Sequence, residues 1–304
     1  MPASQGRVLF LFLDGVGLGA PDPQSNPLAR AHMPVLWELL GGPLTRERLP
    51  LTQAGLTYRP LDATLGVEGL PQSATGQTTL LTGLNGAAAM ERHYGPWPGP
   101  TLTALLHEST LFHDAQALEG AVLANAYPDD YFAVLGTRRF KPNAPVVAAR
   151  SAGTELRDME RYRAHQAVAA DLSGERFAQM SPETAPQSPE LAAEVLARLA
   201  NSATLTFFDL WLTDSLGHAR NAVGAVELLE RLDLLLGALL REGAGRDFSL
   251  VLTSDHGNLE DLSTKAHTLG EVPLMALGEV ASELADAASL LDVAPAIRRL
   301  WDQQ

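Results

Sequence analysis

Two short segments place aspartate and histidine together, Asp214-Ser-Leu-Gly-His218 and Asp255-His256-Gly-Asn258, and a third, Ala266-His267-Thr268, adds a histidine. A further aspartate, Asp14, closes the apolar run Val8–Leu13 near the start of the chain. Carboxylates mixed with imidazoles suit Zn²⁺, Mn²⁺ or similar ions, whereas an all-oxygen set would suggest Mg²⁺ or Ca²⁺. With 22 Lys+Arg against 36 Asp+Glu, the formal charge is -14. Aspartates gathered at close range in such a chain need a cation to be tolerated. The chemistry on offer is that of a divalent-metal site.

Such residues need a scaffold that brings them to one place. Val8–Leu13 is a continuous apolar run, as expected of a strand buried on both faces of a parallel sheet. Similar runs recur at 121–124, 203–208, 249–253 and 272–277, and helical patterns cover 32–40, 101–107, 189–199, 222–241 and 293–301. The alternation predicts an α/β protein with a mostly parallel central sheet flanked by helices. Each histidine-bearing segment falls beside a strand end, and open α/β sheets bind ligands at the carboxyl ends of their strands.

The chain has 304 residues, which fits about two domains, or one large α/β domain with a small lid. Between 127 and 188 the pattern loosens, with Pro128, Pro142, Pro145, Pro182 and Pro186 beside several arginines. The expected organisation is therefore a core of 1–126 and 189–304 with a small lid inserted at 127–188. An acidic balance opposes nucleic-acid binding. The absence of cysteine excludes disulfides, thiolate zinc sites and thiol nucleophiles. The first apolar run is too short for a signal peptide and no segment reaches about 18 apolar residues, so a cytoplasmic protein without membrane spans is expected.

Taken in order, Asp14-Gly, Asp-x-x-x-His at 214–218, Asp-His-Gly-Asn at 255–258 and His267-Thr resemble the alkaline phosphatase superfamily. The likeness is greatest to the branch containing cofactor-independent phosphoglycerate mutase and phosphopentomutase, and residues 26–34 resemble the mutase segment after the first metal-binding aspartate. That resemblance implies an alkaline-phosphatase-like three-layer core. It also implies a nucleophile, because Gly69-Leu-Pro-Gln-Ser73-Ala-Thr-Gly-Gln77 is similar to the mutase segment whose Ser or Thr takes the phosphoryl group. Ser73 falls on that position, and Thr82-Gly83 lies where the related nucleotide pyrophosphatases place a Thr-Gly pair. Thr75, Thr78 and Thr79 are rival hydroxyls.

Carried over residue by residue, the resemblance implies one ion held by Asp14, Ser73, Asp255 and His256, and a second by Asp214, His218 and His267. The ions would be Zn²⁺ or Mn²⁺. Asn258, Arg138, Arg139 and Arg150 would orient ligands or phosphate from outside the ligand set. Attack by Ser73 would give a phosphoserine, with the cations lowering the hydroxyl pKa and offsetting phosphoryl charge.

Two departures shape the expected activity. Gln77 stands where the mutase segment has histidine, and there is no room for the large inserted domain of cofactor-independent phosphoglycerate mutase. A small lid admits water more easily than a closing domain. The expectation is a two-metal phosphomonoesterase or phosphodiesterase acting on a small phosphorylated substrate. A phosphomutase is the alternative, and a non-catalytic metal- or phosphate-binding protein the second. Gly15-Val-Gly17-Leu-Gly-Ala20 formally fits a dinucleotide fingerprint, but Pro21 and Pro23 fit a loop better than the helix that fingerprint must open.

Overall fold

The computed structural model describes residues 6–181 and 183–303. Positions 1–5 and 304 of the expected core, and Pro182 of the expected lid, lie outside the described residues. All five apolar runs form strands: β1 Val8–Leu13, β4 Ala121–Leu123, β5 Leu205–Leu210, β6 Ser249–Ser254 and β7 Val272–Leu277. Two more, β2 Leu51–Gln53 and β3 Leu56–Leu61, form a hairpin that sequence patterning does not reveal. Arg59 and Pro60 sit inside β3, and a proline inside a run argues against a strand until its neighbours are known.

The strands form one sheet in the order β2-β3-β7-β6-β1-β5-β4. β6, β1, β5 and β4 are parallel, β7 runs antiparallel to β6, and β3 antiparallel to β7. Alternate residues of β1 feed two cores: Leu9, Leu11 and Leu13 enter one, and Val8, Phe10 and Phe12 the other. Helices Pro34–Leu40, Pro189–Ala200 and Ala222–Arg241 cover the first face, and Ser73–Thr82, Ala144–Ser151 and Val293–Asp302 the second. Three layers result, as both faces of a parallel sheet must be covered.

The stretch 127–188 has two structural roles. Its helix Ala144–Ser151 buries Ala144, Val146, Ala148 and Ala149 in the second core. Its later part packs around a small separate cluster of Met159, Tyr162, Ala167 and Ala169. Bridges from Asn125 to Val168 and from Ala126 to Arg157 tie that part to the chain leaving β4. It thus sits over the carboxyl ends of β4 and β5. Among the described residues, no helix is long and apolar enough to cross a membrane.

Candidate metal centre

β1 and β6 are parallel neighbours in a register that sets Leu13 opposite Ser254, so the residues that follow, Asp14 and Asp255, emerge side by side. β5 ends level with β1, and the next helix, Leu212–Ala219, carries Asp214 and His218 one turn apart. His267 precedes β7 rather than following a strand. Because β7 is antiparallel to β6, its amino end lies at the edge where β1, β5 and β6 have their carboxyl ends. The rings of His256 and His267 stack there with centroids 3.8 Å apart.

Asp14, Asp255 and His256 form a buried group whose potential ligand atoms lie within 4.8 Å of one another. His256 Nε2 is 3.4 Å from Asp14 Oδ1 and 3.6 Å from Asp255 Oδ2. Gly15 N–H donates to Asp255 Oδ1 at 3.2 Å, and Gln77 Nε2 donates to Asp255 Oδ2 at 3.1 Å and to Asp14 Oδ2 at 3.4 Å. The glutamine that replaces the expected histidine thus bridges the two carboxylates. Asp14 Oδ1 is buried with no hydrogen-bond partner among the described residues.

Ser73 opens the fully buried helix Ser73–Thr82, with its Oγ 2.9 Å from His256 Nε2. The rival Thr75 donates its hydroxyl to the Gln72 carbonyl at 2.9 Å, and Thr79 donates to the Thr75 carbonyl at 2.8 Å. Both are engaged in holding the helix. Thr78 Oγ1 is buried without a partner among the described residues. Of the four hydroxyls, Ser73 is the one hydrogen-bonded to a histidine of the cluster.

On the other side, His218 Nε2 lies 3.3 Å from Asp214 Oδ2, and His267 Nε2 lies 3.8 Å from Asp214 Oδ1 and 3.2 Å from His218 Nε2. Each imidazole is oriented through its other nitrogen. Nδ1 of His218 meets the Lys265 carbonyl at 2.8 Å, and Nδ1 of His267 meets the Pro71 carbonyl at 2.7 Å. Such contacts leave Nε2 as the inward-facing ligand atom. Asp214, His256 and His267 also come within mutual ligand distance, so His256 stands between the two groups.

Electrostatics supply the test of whether these residues fit a cation. Burial, reinforced by the Asp255 charge, holds the Asp14 carboxyl well above the usual range, and burial also raises Asp255. Burial alone would lower His256, but the carboxylates of Asp255 and Asp14 push it up to about 10. Burial, helped by the His256 charge, lowers His267 to about 4. The pair of carboxylates thus demands one positive charge between them. A proton on His256 supplies it, and a divalent cation would satisfy the same demand while coordinating Asp14 Oδ1, which makes no hydrogen bond among the described residues. The donor set fits a divalent cation in either group, Asp14 with Asp255 and His256 or Asp214 with His256 and His267, with Ser73 Oγ and His218 Nε2 beside them.

Glu260 is a residue that sequence reasoning missed. It is 3% exposed, and its Oε2 accepts the N–H groups of Gly17 at 2.9 Å and Asn258 at 2.7 Å, while Oε1 accepts the Thr268 hydroxyl. One carboxylate thereby joins the loops carrying Asp14, Asp255-His256 and His267. The available signal was an acidic residue two positions beyond Asn258. Asn258 itself donates to the Asp214 carboxylate. Gly15 has φ +67, and a Cβ there would meet Asp214 Oδ1 at 2.5 Å, so glycine lets the two ligand loops approach. No helix opens across 15–20, in keeping with the loop expected there.

The basic residues fall elsewhere. Arg138, Arg139 and Arg150 are exposed, and among the described residues none hydrogen-bonds or ion-pairs with the cluster. Arg139 lines a cavity of about 730 Å³ that also includes Asn125, Asp209 and Leu212. Arg150 borders smaller surface clefts.

The sequence profile of the metalloenzyme superfamily matches residues 6–301. The chain belongs to the metalloenzyme superfamily. It is similar to a 2,3-bisphosphoglycerate-independent phosphoglycerate mutase of Thiobacillus denitrificans, which is 30% identical over 141 residues, or 41% of this chain and 28% of that protein. The corresponding mutase of Wolinella succinogenes is 29% identical over 119 residues, 37% of this chain and 24% of its own length. The chain thus spans about a quarter of these relatives. Among solved structures, alkaline phosphatase from the Antarctic bacterium TAB5 superposes with a TM-score of 0.54 at 14% identity, covering 98% of both chains. That likeness establishes the alkaline-phosphatase-like fold of this superfamily member.

Proposed function

We propose that this metalloenzyme is a phosphohydrolase of small phosphoesters with Ser73 as its nucleophile. The observation that supports the reading is the placement of Ser73 Oγ 2.9 Å from His256 Nε2, the residue common to two groups of potential metal ligands. Bound divalent ions, Zn²⁺ or Mn²⁺, would lower the hydroxyl pKa and offset phosphoryl charge. Ser73 occupies the first turn of a helix, so its oxygen and any phosphoryl group on it face the positive end of the helix dipole. In the reaction the Ser73 oxygen bonds to phosphorus, the ester oxygen departs with a proton as the alcohol, and a phosphoserine remains. Water then attacks the same phosphorus, restoring the Ser73 hydroxyl and releasing phosphate.

A phosphomutase is the second reading, favoured by the names of the curated relatives. Return of a substrate hydroxyl to the phosphoserine would then replace attack by water. The test is phosphate release from p-nitrophenyl phosphate and a panel of small phosphomonoesters, using chelated protein, protein reloaded with Mn²⁺ or Zn²⁺, and Ser73→Ala. The expected result is metal-dependent release that disappears in the variant. Isomerised product without free phosphate would select the mutase, and metal-loaded protein silent in both assays would overturn both readings.

A further inference from the structure

The cavity of about 730 Å³ beside the carboxyl ends of β4 and β5 is separate in composition from the metal cluster. Its volume is that of a site for a molecule of drug or nucleotide size. Tyr127, Tyr131 and Phe140 make an aromatic wall, with ring centroids 4.4 Å apart for the tyrosines and 5.0 Å for Tyr131 and Phe140. Trp97 and Trp211 add two more exposed rings at its edge.

Within this apolar lining lies Asp209, the second-last residue of β5, only 1% exposed. Its backbone is clamped by Asn125, whose Oδ1 accepts the Asp209 N–H at 2.8 Å and whose Nδ2 donates to the Asp209 carbonyl at 2.7 Å. Asp209 Oδ2 accepts from Asn143 Nδ2 at 2.7 Å, while Oδ1 is buried with no partner among the described residues. A buried acceptor left unpaired is costly, and a bound donor would remove that cost. Trp211 and Leu212 also line the cavity, and Leu212 opens the helix that carries Asp214, so the cavity adjoins the metal cluster. Burial lifts the Asp209 carboxyl to about 7.

The charges at the edge decide between ligand classes. Arg139, Lys141 and Arg176 all line the cavity, whereas Asp171, the other acid there, spends its carboxylate on the N–H groups of Ser173, Gly174 and Arg176. Three cations disfavour an organic ammonium and favour a neutral ring attached to an anionic group. We propose that this cavity binds the organic part of the substrate, a flat heterocycle with an N–H donor such as a nucleobase, and that Asp209 Oδ1 accepts that donor. The phosphoryl end of the assignment rests on the function proposed above; the ring site does not.

Asp209→Asn is an informative variant because Asn143 cannot turn over freely: its Oδ1 accepts the Val146 N–H at 3.3 Å as the cap of helix Ala144–Ser151. The new amide would keep its oxygen toward Asn143 and turn its NH₂ into the cavity, replacing an acceptor with a donor. Binding of adenosine, guanosine, cytidine and uridine, which carry no phosphate, is read from the fluorescence of Trp97 and Trp211 in metal-loaded protein. At least one nucleoside should give saturable binding, weakened about tenfold or more by Asp209→Asn and by Tyr131→Leu. In parallel, kcat/KM for the nucleoside monophosphates should exceed that for glycerol phosphate about tenfold or more, with the ratio falling toward one in either variant.

Nucleoside binding without any hydrolysis would uphold the ring site and overturn the hydrolase. Hydrolysis with neither nucleoside binding nor preference for nucleotides would overturn the ring site and leave the hydrolase standing. Should Asp209→Asn fail to fold, Tyr131→Leu decides the matter by the same readings.

Discussion

The Ser73 hydroxyl and the His256 imidazole, distant in the chain, meet at 2.9 Å in the buried floor of the site. The same Nε2 lies 3.4 Å from Asp14 Oδ1, so one nitrogen faces both the hydroxyl and a carboxylate that burial holds well above its usual range. The helix that presents Ser73 is packed directly beneath the Asp255 loop, since a Cβ on Gly76 would lie 2.8 Å from the Asp255 carbonyl oxygen.

Ser73→Ala is expected to lower kcat by at least about 10³-fold, as loss of a nucleophile does, with little change in Tm. Thr75→Ala should do the reverse. Its hydroxyl serves the Gln72 carbonyl and the Tyr94 N–H, so the loss is about 1 kcal/mol of stability with turnover largely retained. Phosphate-release kinetics and thermal unfolding of both variants check this, and full activity in Ser73→Ala would remove Ser73 from the reaction.

Metal binding should release protons at neutral pH. His256, raised to about 10, carries a proton at pH 7 that a cation must displace. Apparent affinity should therefore rise with pH up to about 10, and titration calorimetry in buffers of different ionisation enthalpy should give at least about one proton released at pH 7 to 8. Release near zero would contradict the protonated histidine.

Glu260→Ala should unfold or loosen the ligand loops, because it leaves the Gly17 and Asn258 N–H groups unpaired in a buried site. Each costs about 1–3 kcal/mol, and metal affinity should drop about 10–100-fold. Glu260→Gln should recover most of both. Its oxygen can accept the two N–H groups and its NH₂ can donate to the Thr268 hydroxyl. Chelator competition and Tm distinguish a tie among loops from a residue without structural effect.

Asp209→Asn should change how stability depends on pH. Burial raises the folded carboxyl from 3.8 to about 7, so the folded state holds its proton more tightly than the unfolded chain. The associated stability is fully present below pH about 4 and is lost as pH rises through 7. The variant lacks this titration. Its Tm should gain on the wild-type Tm between pH 4 and 8, and a constant difference across that range would show that Asp209 is not buried as a carboxyl.

The sequence alone determined the central strands and the ligand types. β1 is an uninterrupted apolar run and β5 and β6 are mostly apolar because all three are buried on both faces, and each run or the helix after it carries its aspartate or histidine within a few residues. That is local information, and so is the stop of Ala222–Arg241 before Gly243. Three matters were decided only by tertiary structure. The direction of β7 puts His267 at the metal edge, and strand direction depends on which neighbour pairs with the strand, not on its own residues. The resemblance put Ser73 ahead of its rivals in the sequence, but that its hydroxyl meets His256 while Thr75 and Thr79 go to backbone carbonyls is a matter of packing. Glu260 and Asp209 read as ordinary acidic residues in the chain. Their roles arise from burial beside groups far away in sequence, where a lone carboxylate oxygen must find a donor or remain unpaid for its lost water.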